Sequence, residues 1–144
     1  MLKAISLVSL LLMIVGIVWL FLSDWLFSPA PAVIVVQGLA AVLMLWARIT
    51  FGRRSFHAAA NPTAGGLVTT GPYHYIRHPI YTAVCLFAGA GVVHSGSVLA
   101  YLLGLLLFAG ALGRMFCEER LVTEAYPEYQ AYAKTTKRMI PYLF

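Results

Sequence analysis

Residues 79–113 read PIYTAVCLFAGAGVVHSGSVLAYLLGLLLFAGALG and contain no Asp, Glu, Lys or Arg. As one helix this stretch would be about 50 Å long, because an α-helix rises about 1.5 Å per residue. The hydrocarbon core of a membrane is only about 30 Å thick. The polar tetrapeptide His94-Ser95-Gly96-Ser97 interrupts the apolar run near its middle. We therefore predict a tight hairpin of two transmembrane helices, at about 79–93 and 98–116.

Two more apolar stretches precede this hairpin. Residues 4–23 carry no ionisable side chain, and the Pro-containing turn at 28–31 separates them from a second stretch that ends at Arg48. Of the 144 residues, 61% are hydrophobic and only 10% are charged, whereas soluble domains have about 25% charged residues. These values exclude a large soluble catalytic domain. We predict one all-α integral membrane domain, residues 1–144, with about four transmembrane helices at about 4–23, 32–47, 79–93 and 98–116.

The basic residues indicate the orientation of the bundle. All ten fall on one side of the predicted membrane: Lys3, Arg48, Arg53, Arg54, Arg77, Arg114, Arg120, Lys134, Lys137 and Arg138. The positive-inside rule makes that side cytoplasmic, together with both termini. A cleaved signal peptide ending near residue 31 is the alternative, although its apolar run would be unusually long. Because the basic residues flank apolar runs, the net charge of +5 does not predict binding to nucleic acid.

The segment Gly71–Tyr81, GPYHYIRHPIY, precedes and opens the third predicted helix. Pro79 suits a first helical turn, where its missing N–H costs nothing. Arg77 and His78 then lie at a helix N-terminus, whose N–H groups already favour an anion. A cation beside this positive end predicts half of a carboxylate or phosphate site, with Tyr73 and Tyr81 close by. The alternative is an ordinary belt of aromatic and basic residues at the membrane interface.

A second polar cluster, Glu118-Glu119-Arg120, follows the fourth predicted span. Acidic residues near a helix C-terminus oppose the helix dipole by roughly 0.3–1 kcal/mol each, and Arg114 at i−4 can pair only with Glu118. A solvated charged face is the alternative interpretation. Because the two clusters begin and end one hairpin, they must lie at the same membrane face. Together they suit a ligand with both positive and negative groups. Cysteine and histidine show no metal-ligand spacing, so we expect no metal site.

The last part of the chain is amphipathic, aromatic and basic. It contains Tyr126, Tyr129 and Tyr132, followed by Lys137 and Arg138. A helix lying on the cytoplasmic membrane surface explains this pattern. A lid over a cytoplasmic pocket is the second interpretation.

Several motifs in this order resemble the isoprenylcysteine carboxyl methyltransferases and the related phospholipid methyltransferases. The motifs are Leu67-Val68-Thr69-Thr70-Gly71-Pro72-Tyr73, Arg77-His78-Pro79-Ile80-Tyr81, Glu118-Glu119-x-Leu121, Tyr129-x-x-Tyr132 and Arg138-x-x-Pro141. The resemblance covers about residues 48–144, the expected catalytic core. Ala83 stands where the family often has glycine, and Tyr126-Pro127 replaces a Phe-Gly pair. The chain is also shorter than the eukaryotic enzymes.

The resemblance implies S-adenosylmethionine as cofactor, bound in a cytoplasmic pocket. The residues that it assigns to the cofactor are Tyr73, Arg77, His78, Pro79, Tyr81, Gly89, Gly91, Glu118 and Glu119. Arg77 and Glu119 are the expected catalytic residues, Arg77 by orienting cofactor or acceptor and Glu119 by positioning or accepting a proton. The expected acceptor is a lipophilic small molecule or lipid, isoprenylcysteine-carboxylate-like or phospholipid-like, that enters from the bilayer.

Two other functions stay open at this stage. Sterol and steroid reductases that use NADPH resemble the same C-terminal pattern, including Arg-His-Pro-x-Tyr and a tyrosine-rich tail. Their tail usually carries an Asp-Glu pair, and Glu118-Glu119 favours the methyltransferase. A non-catalytic helical membrane protein that retains the scaffold is the third alternative.

Overall fold

The computed structural model describes residues 1–52 and 66–144, which form an all-helical membrane bundle. Its helices are α1 (Leu2–Leu22), α2 (Pro31–Phe51), a 3-10 turn (Gly71–His74), α3 (Pro79–Ser95), α4 (Val98–Ala125) and α5 (Tyr129–Thr135). The described ranges contain no strand beyond a single parallel bridge between Ile76 and Lys137. The all-α prediction is confirmed. Part of the predicted loop before Tyr75, with Arg53, Arg54 and His57, lies outside the described residues.

The predicted hairpin is confirmed. Pro79 opens α3, and Gly96 follows its last residue with a left-handed φ of +62°, a conformation that glycine adopts at no steric cost. The next helix begins at Val98, the position where the sequence placed it. It continues to Ala125, nine residues past the predicted end at 116, and with 28 residues it is about 42 Å long. The last turns of α4 therefore carry Glu118 and Glu119 beyond a hydrocarbon core of about 30 Å.

The number of membrane-crossing helices agrees with about four. Among the described residues, α1, α2 and α4 are each long and apolar enough to span a bilayer, and α3 is apolar but shorter, at 17 residues. Large apolar side chains cover the outside of the bundle, for example Leu39 and Leu105, which are 65% and 64% exposed. Such a surface is unfavourable in water and suits lipid chains.

Small residues allow α1 and α4 to pack closely. The buried face of α1 includes Ser6, Ser9 and Gly16. On α4, a Cβ atom placed on Gly110 would lie 2.7 Å from the carbonyl oxygen of Ser9. Because lipid tails are as apolar as leucine, membrane helices associate through such close packing rather than through the hydrophobic effect. This contact fixes α1 beside the helix that carries the acidic pair.

Helices α2 and α3 form the other packed pair. The buried amide of Gln37 on α2 donates hydrogen bonds to the carbonyl oxygens of Leu26, at 2.7 Å, and Phe87, at 3.1 Å. It thereby ties the α1–α2 connection to α3. Gly91 on α3 lies against the same connection, where an added Cβ would be 2.4 Å from the carbonyl oxygen of Trp25. The two pairs, α1 with α4 and α2 with α3, place the polar clusters at one end of the bundle.

Candidate functional site

Glu119 is the centre of the first polar cluster. Its Oε1 accepts hydrogen bonds from Arg77 Nε and His78 Nε2, both at 3.1 Å. Arg138 donates to both carboxylate oxygens, with its closest contact from Nη2 to Oε2 at 2.9 Å. The side chain of Glu119 is only 13% exposed. A carboxylate of the chain itself, that of Glu119, therefore binds Arg77 and His78 before α3.

Among the described residues, Glu118 has fewer partners than its neighbour Glu119. Its Oε1 accepts from the hydroxyl of Tyr81 at 2.5 Å and from Arg114 Nη2 at 3.2 Å, which confirms the predicted i,i+4 pair. Arg114 Nε also donates to the hydroxyl of Tyr81 at 2.8 Å. The second oxygen, Oε2, lies 4.0 Å from His78 Nδ1, beyond hydrogen-bonding distance. This oxygen can accept a hydrogen bond from a ligand.

The chain after α4, residues 126–144, folds back over the start of α3, and we refer to it as the C-terminal strap. Its backbone carbonyls at Lys137 and Arg138 accept hydrogen bonds from the backbone N–H groups of Arg77, at 2.7 Å, and His78, at 2.9 Å. Those N–H groups would otherwise be unpaired at a helix N-terminus. The strap thus pairs the last two backbone N–H groups before α3.

Arg77 is held by the same strap. Its Nη1 donates to the carbonyl oxygens of Ala133, at 3.0 Å, and Thr136, in addition to its bond with Glu119. Only 8% of the side chain is exposed. These contacts attach Arg77 to the strap, and its expected role in orienting a cofactor or an acceptor stays a prediction.

Tyrosine hydroxyls complete the polar end of the bundle. Tyr132 donates a 2.5 Å hydrogen bond to the carbonyl oxygen of Tyr73. Burial raises the pKa of Tyr132 to about 12, although a hydrogen bond with Thr136 and the charge of Arg77 act in the opposite direction. Burial also raises the pKa of Tyr73 and of Tyr129, and in each case a neighbouring glutamate adds to the rise. These hydroxyls therefore stay protonated near neutral pH and can donate hydrogen bonds.

A cavity of about 400 Å³ joins these groups to the apolar part of the bundle. This volume lies within the usual range for ligand sites, about 300–1,000 Å³. Strap residues Tyr126, Tyr129 and Tyr132 line the polar end. The opposite wall is apolar and consists of Leu10, Met13, Ile14 and Ile17 on α1 with Met44 on α2. The cavity is thus suited to a ligand, or a pair of ligands, with one polar and one apolar part.

The structure brings most of the site residues predicted from sequence together around this cavity. Its lining includes Tyr73, Arg77, His78, Pro79, Tyr81, Glu118 and Glu119. Gly89 instead lines a separate cavity of about 230 Å³ between α3 and α4. Gly91 packs on the backbone of the α1–α2 connection. At Gly91 the absence of a Cβ allows another segment of the chain to approach closely. Neither glycine lines the cavity that holds the other predicted site residues, and their contact with the cofactor stays a prediction.

Sequence reasoning missed the roles of three arginines. Arg114 is 5% exposed and binds Glu118 and Tyr81, whereas the sequence suggested only a helix-surface pair. Arg48 lines the cavity, and Arg138 binds Glu119. The sequence contained one sign of the contact between Arg138 and Glu119. No basic residue lies three or four positions from Glu119 on α4, where the residues are Met115, Phe116, Val122 and Thr123. A buried carboxylate without a cation on its own helix needs one from elsewhere.

The donor set fits the cofactor that the resemblance implies. S-adenosylmethionine carries an ammonium, a carboxylate and hydroxyl groups. Glu118 Oε2 is an acceptor for an ammonium or a hydroxyl, and Arg48 supplies positive charge to the same cavity. Among the described residues, no group of three or more His, Cys, Asp or Glu side chains could hold a metal ion.

Fold and site together define a class: a helical integral membrane protein with a ligand cavity that is polar at one end and apolar at the other. The sequence matches the family model for phospholipid methyltransferase over residues 30–129. This range covers α2, α3, α4 and both acidic residues of the site. The chain therefore belongs to the phospholipid methyltransferase family, a family of membrane methyltransferases.

Two curated relatives are named for resistance to metals. The chain is 31% identical over 130 residues to the nickel-cobalt-cadmium resistance protein NccN of Alcaligenes xylosoxydans xylosoxydans, covering 84% of this chain and 56% of that protein. It is 32% identical over 110 residues to the cobalt-zinc-cadmium resistance protein CzcN of Cupriavidus metallidurans, covering 73% and 45%. The chain thus spans about half the length of these relatives. No solved structure matches it.

Proposed function

We propose that the protein is an S-adenosylmethionine-dependent methyltransferase that methylates a lipophilic acceptor at the membrane. One observation carries the proposal: a single cavity joins the Glu118–Tyr81–Arg114 cluster to an apolar wall on α1. A polar cofactor and an apolar acceptor can therefore meet inside one site. The family match favours this function over the reductase that uses NADPH.

We assign the cofactor to the polar end of the cavity. Glu118 offers Oε2 to the ammonium or to a ribose hydroxyl, and Arg48 attracts the carboxylate. Tyr73, His78 and Tyr81 line the same end. Glu119 and Arg77 are already bound to each other and to the strap, so we propose that they hold the site in shape rather than contact the reacting atoms.

The acceptor enters between α1 and α2. Ile14 lines the cavity and is 47% exposed, and we propose that the cavity opens to the lipid at this position. The side chains on either side of this opening are apolar. An acyl or prenyl chain can lie in the opening while its reactive head reaches the polar end, as a lipid-like acceptor requires.

Catalysis by this site rests on alignment and exclusion of water. When bound, S-adenosylmethionine supplies a methyl group on a sulfonium that is already activated for displacement. The chain's own residues have to hold the acceptor in line with that group. Such alignment can lower the activation barrier by about 7–11 kcal/mol. An amine acceptor would also have to lose a proton before it attacks the methyl group.

We further propose that the polar end faces the cytoplasm. Arg48 on α2, Arg114 on α4 and Arg77 just before α3 line one cavity, so they lie at the same end of the bundle. The positive-inside rule places such an end in the cytoplasm. Reporter fusions at the C-terminus test this: activity only of a cytoplasmic reporter is expected, and activity only of a periplasmic or luminal reporter would reverse the orientation.

No metal site is transferred from the curated relatives to this chain. Their names describe resistance to nickel, cobalt, zinc and cadmium, and the described residues offer no cluster for such an ion.

A thermal-shift measurement on detergent-purified protein tests the cofactor. S-adenosylhomocysteine at about 100 times its dissociation constant should add about 2.7 kcal/mol of stability, and NADPH should add none. A shift with NADPH alone would assign the protein to the reductases. No shift with either compound would support a non-catalytic scaffold.

Methyl transfer to lipid tests the acceptor route. With labelled S-adenosylmethionine and a total lipid extract, Ile14→Trp should block the opening and reduce labelling at least tenfold. Val15→Trp is the matched control, because Val15 is similarly exposed, at 49%, and does not line the cavity. The shift with S-adenosylhomocysteine should persist in both variants. Equal labelling in both variants would contradict entry between α1 and α2.

A further inference from the structure

The cofactor and the acceptor need different routes into the cavity. The opening at Ile14 is lined by apolar side chains and faces lipid, and a charged, water-soluble cofactor cannot use it without a large desolvation cost. At the polar end the cavity is walled by Tyr126, Tyr129 and Tyr132, all from the C-terminal strap. We expect a ligand that arrives from water to pass this wall.

We propose that the C-terminal strap is a gate for the water-soluble ligand and that the Glu119–Arg138 ion pair is its latch. This inference rests on the proposed function, because it names how the cofactor enters and leaves the same site. The strap opens to exchange cofactor for product and closes to exclude water. The opening at Ile14 meanwhile serves the acceptor.

Polar contacts hold the strap more than apolar packing does. Arg77 binds two of its carbonyl groups, Thr82 Oγ1 donates to the carbonyl oxygen of Met139 at 3.1 Å, and Tyr132 binds the carbonyl of Tyr73. Only three strap side chains are buried: Tyr129, Thr136 and Met139. A segment with few buried apolar contacts opens at low free energy while the rest of the fold stays intact.

Arg138 is placed to act as a latch. It makes three hydrogen bonds to Glu119, and its guanidinium lies 5.1 Å from the ring centre of Phe116 on α4 and 5.5 Å from that of Phe144. These are cation–π distances. Arg138 joins the far part of the strap to α4, yet it is not among the residues that line the cavity. Its substitution therefore acts through the strap and not through ligand contacts.

Loosening the latch should speed the release of bound ligand. In Arg138→Met, we expect S-adenosylhomocysteine to dissociate at least tenfold faster than from the wild type, with kcat changed less than the dissociation rate. Arg138→Lys should recover part of the effect. Arg120→Met is the matched control, because Arg120 lies on α4 with 72% of its side chain exposed and pairs only with Glu124 among the described residues. Equal dissociation rates in Arg138→Met and wild type would overturn the latch.

Locking the strap should stop exchange. Ile76 and Lys137 are paired across the backbone bridge, and paired segments lie about 4.8 Å apart, within the range of about 4.4–6.8 Å that a disulfide spans. Ile76→Cys with Lys137→Cys, in a background with Cys85→Ser and Cys117→Ser, can be cross-linked and then reduced. We expect bound S-adenosylhomocysteine to remain trapped until reductant is added. Unchanged exchange in the cross-linked protein would overturn the gate.

Hydrogen exchange without ligand separates failure of the gate from failure of the proposed function. Amides of residues 129–139 should exchange faster in Arg138→Met than in Arg120→Met, while those of α4 within the membrane stay protected. If the two variants differ in this way but the wild-type protein binds no S-adenosylhomocysteine, the cofactor is refuted and the latch is kept. Equal exchange in the two variants would refute the latch whatever the protein binds.

Discussion

The α1–α4 interface and the polar end of the bundle are built on opposite principles, although α4 belongs to both. In the membrane, α4 meets α1 through Ser9, Gly110 and other small residues that leave no room for an added Cβ. Past the membrane, the same helix carries Glu119, which is surrounded by cations from two other segments. Close packing stabilises the first region, and ion pairs stabilise the second.

This difference shows where the protein can move. Closely packed helices cannot separate by a small amount without losing their contacts, so the membrane helices are expected to stay together as a rigid frame. Hydrogen bonds at the polar end can exchange for bonds with water, which makes opening there much cheaper. A site that exchanges a polar ligand therefore belongs at the charged end, with the frame fixing its dimensions.

Removing the central charge should have the largest effect. Glu119→Gln leaves Arg77 and Arg138 around a neutral amide, and breaking a buried ion pair of this kind costs about 3 kcal/mol or more. We expect a large drop in the unfolding temperature in detergent. Glu118→Gln should cost only about 1 kcal/mol but should abolish the shift with S-adenosylhomocysteine. The assignment of the two glutamates would be reversed if Glu119→Gln were stable and failed to bind.

Filling a close contact in the membrane should come next. Gly91→Ala places a methyl group 2.4 Å from a backbone oxygen of the α1–α2 connection, which cannot move aside as a flexible side chain could. Such overpacking typically costs about 1–3 kcal/mol, and we expect the upper part of that range.

Gly89→Ala is the matched control for this substitution, since its added Cβ would meet no described atom within 4 Å. It should leave both the unfolding temperature and S-adenosylhomocysteine binding unchanged. Weaker binding in Gly89→Ala at normal stability would restore this glycine to the cofactor site. The unfolding temperature and the thermal shift of the two variants therefore decide between packing and binding.

The sequence predicted the fold better than the contacts of the site, for a physical reason. Apolar length and the break at Gly96 are local properties, and they located the turn of the hairpin to within about two residues. The contacts of Glu119 depend on Arg138, which lies 19 positions later and reaches it only after the strap folds back. The predicted end of α4 was the end of its apolar residues. These mark where the helix leaves the membrane, and the helix itself continues beyond that point.

The two hydrogen bonds of Gln37 on α2 provide a smaller test of how the membrane helices are held together. Gln37→Leu removes two hydrogen bonds and leaves the carbonyls of Leu26 and Phe87 without this donor. Interhelical hydrogen bonds in membranes average about 0.6 kcal/mol each, so we expect a loss of about 1 kcal/mol. The unfolding temperature measures it, and binding of S-adenosylhomocysteine should not change. A variant that keeps full stability would show that packing alone holds α2 on α3.

Tyr132→Phe should have the smallest effect, and that effect should depend on pH. The substitution removes the hydrogen bond to the carbonyl of Tyr73, worth about 1 kcal/mol, from a strap that has other attachments. Because the folded pKa of Tyr132 is raised to about 12 from an ordinary value of 10.0, the neutral hydroxyl favours folding at every pH below 10. This contribution declines as pH rises from 10 to 12, where the folded protein also loses the proton.

The unfolding temperatures of wild type and Tyr132→Phe should therefore differ by a constant amount up to pH 10 and converge above it. A difference that stays constant through pH 12 would show that the hydroxyl of Tyr132 is not the group that attaches α5 to the cavity wall.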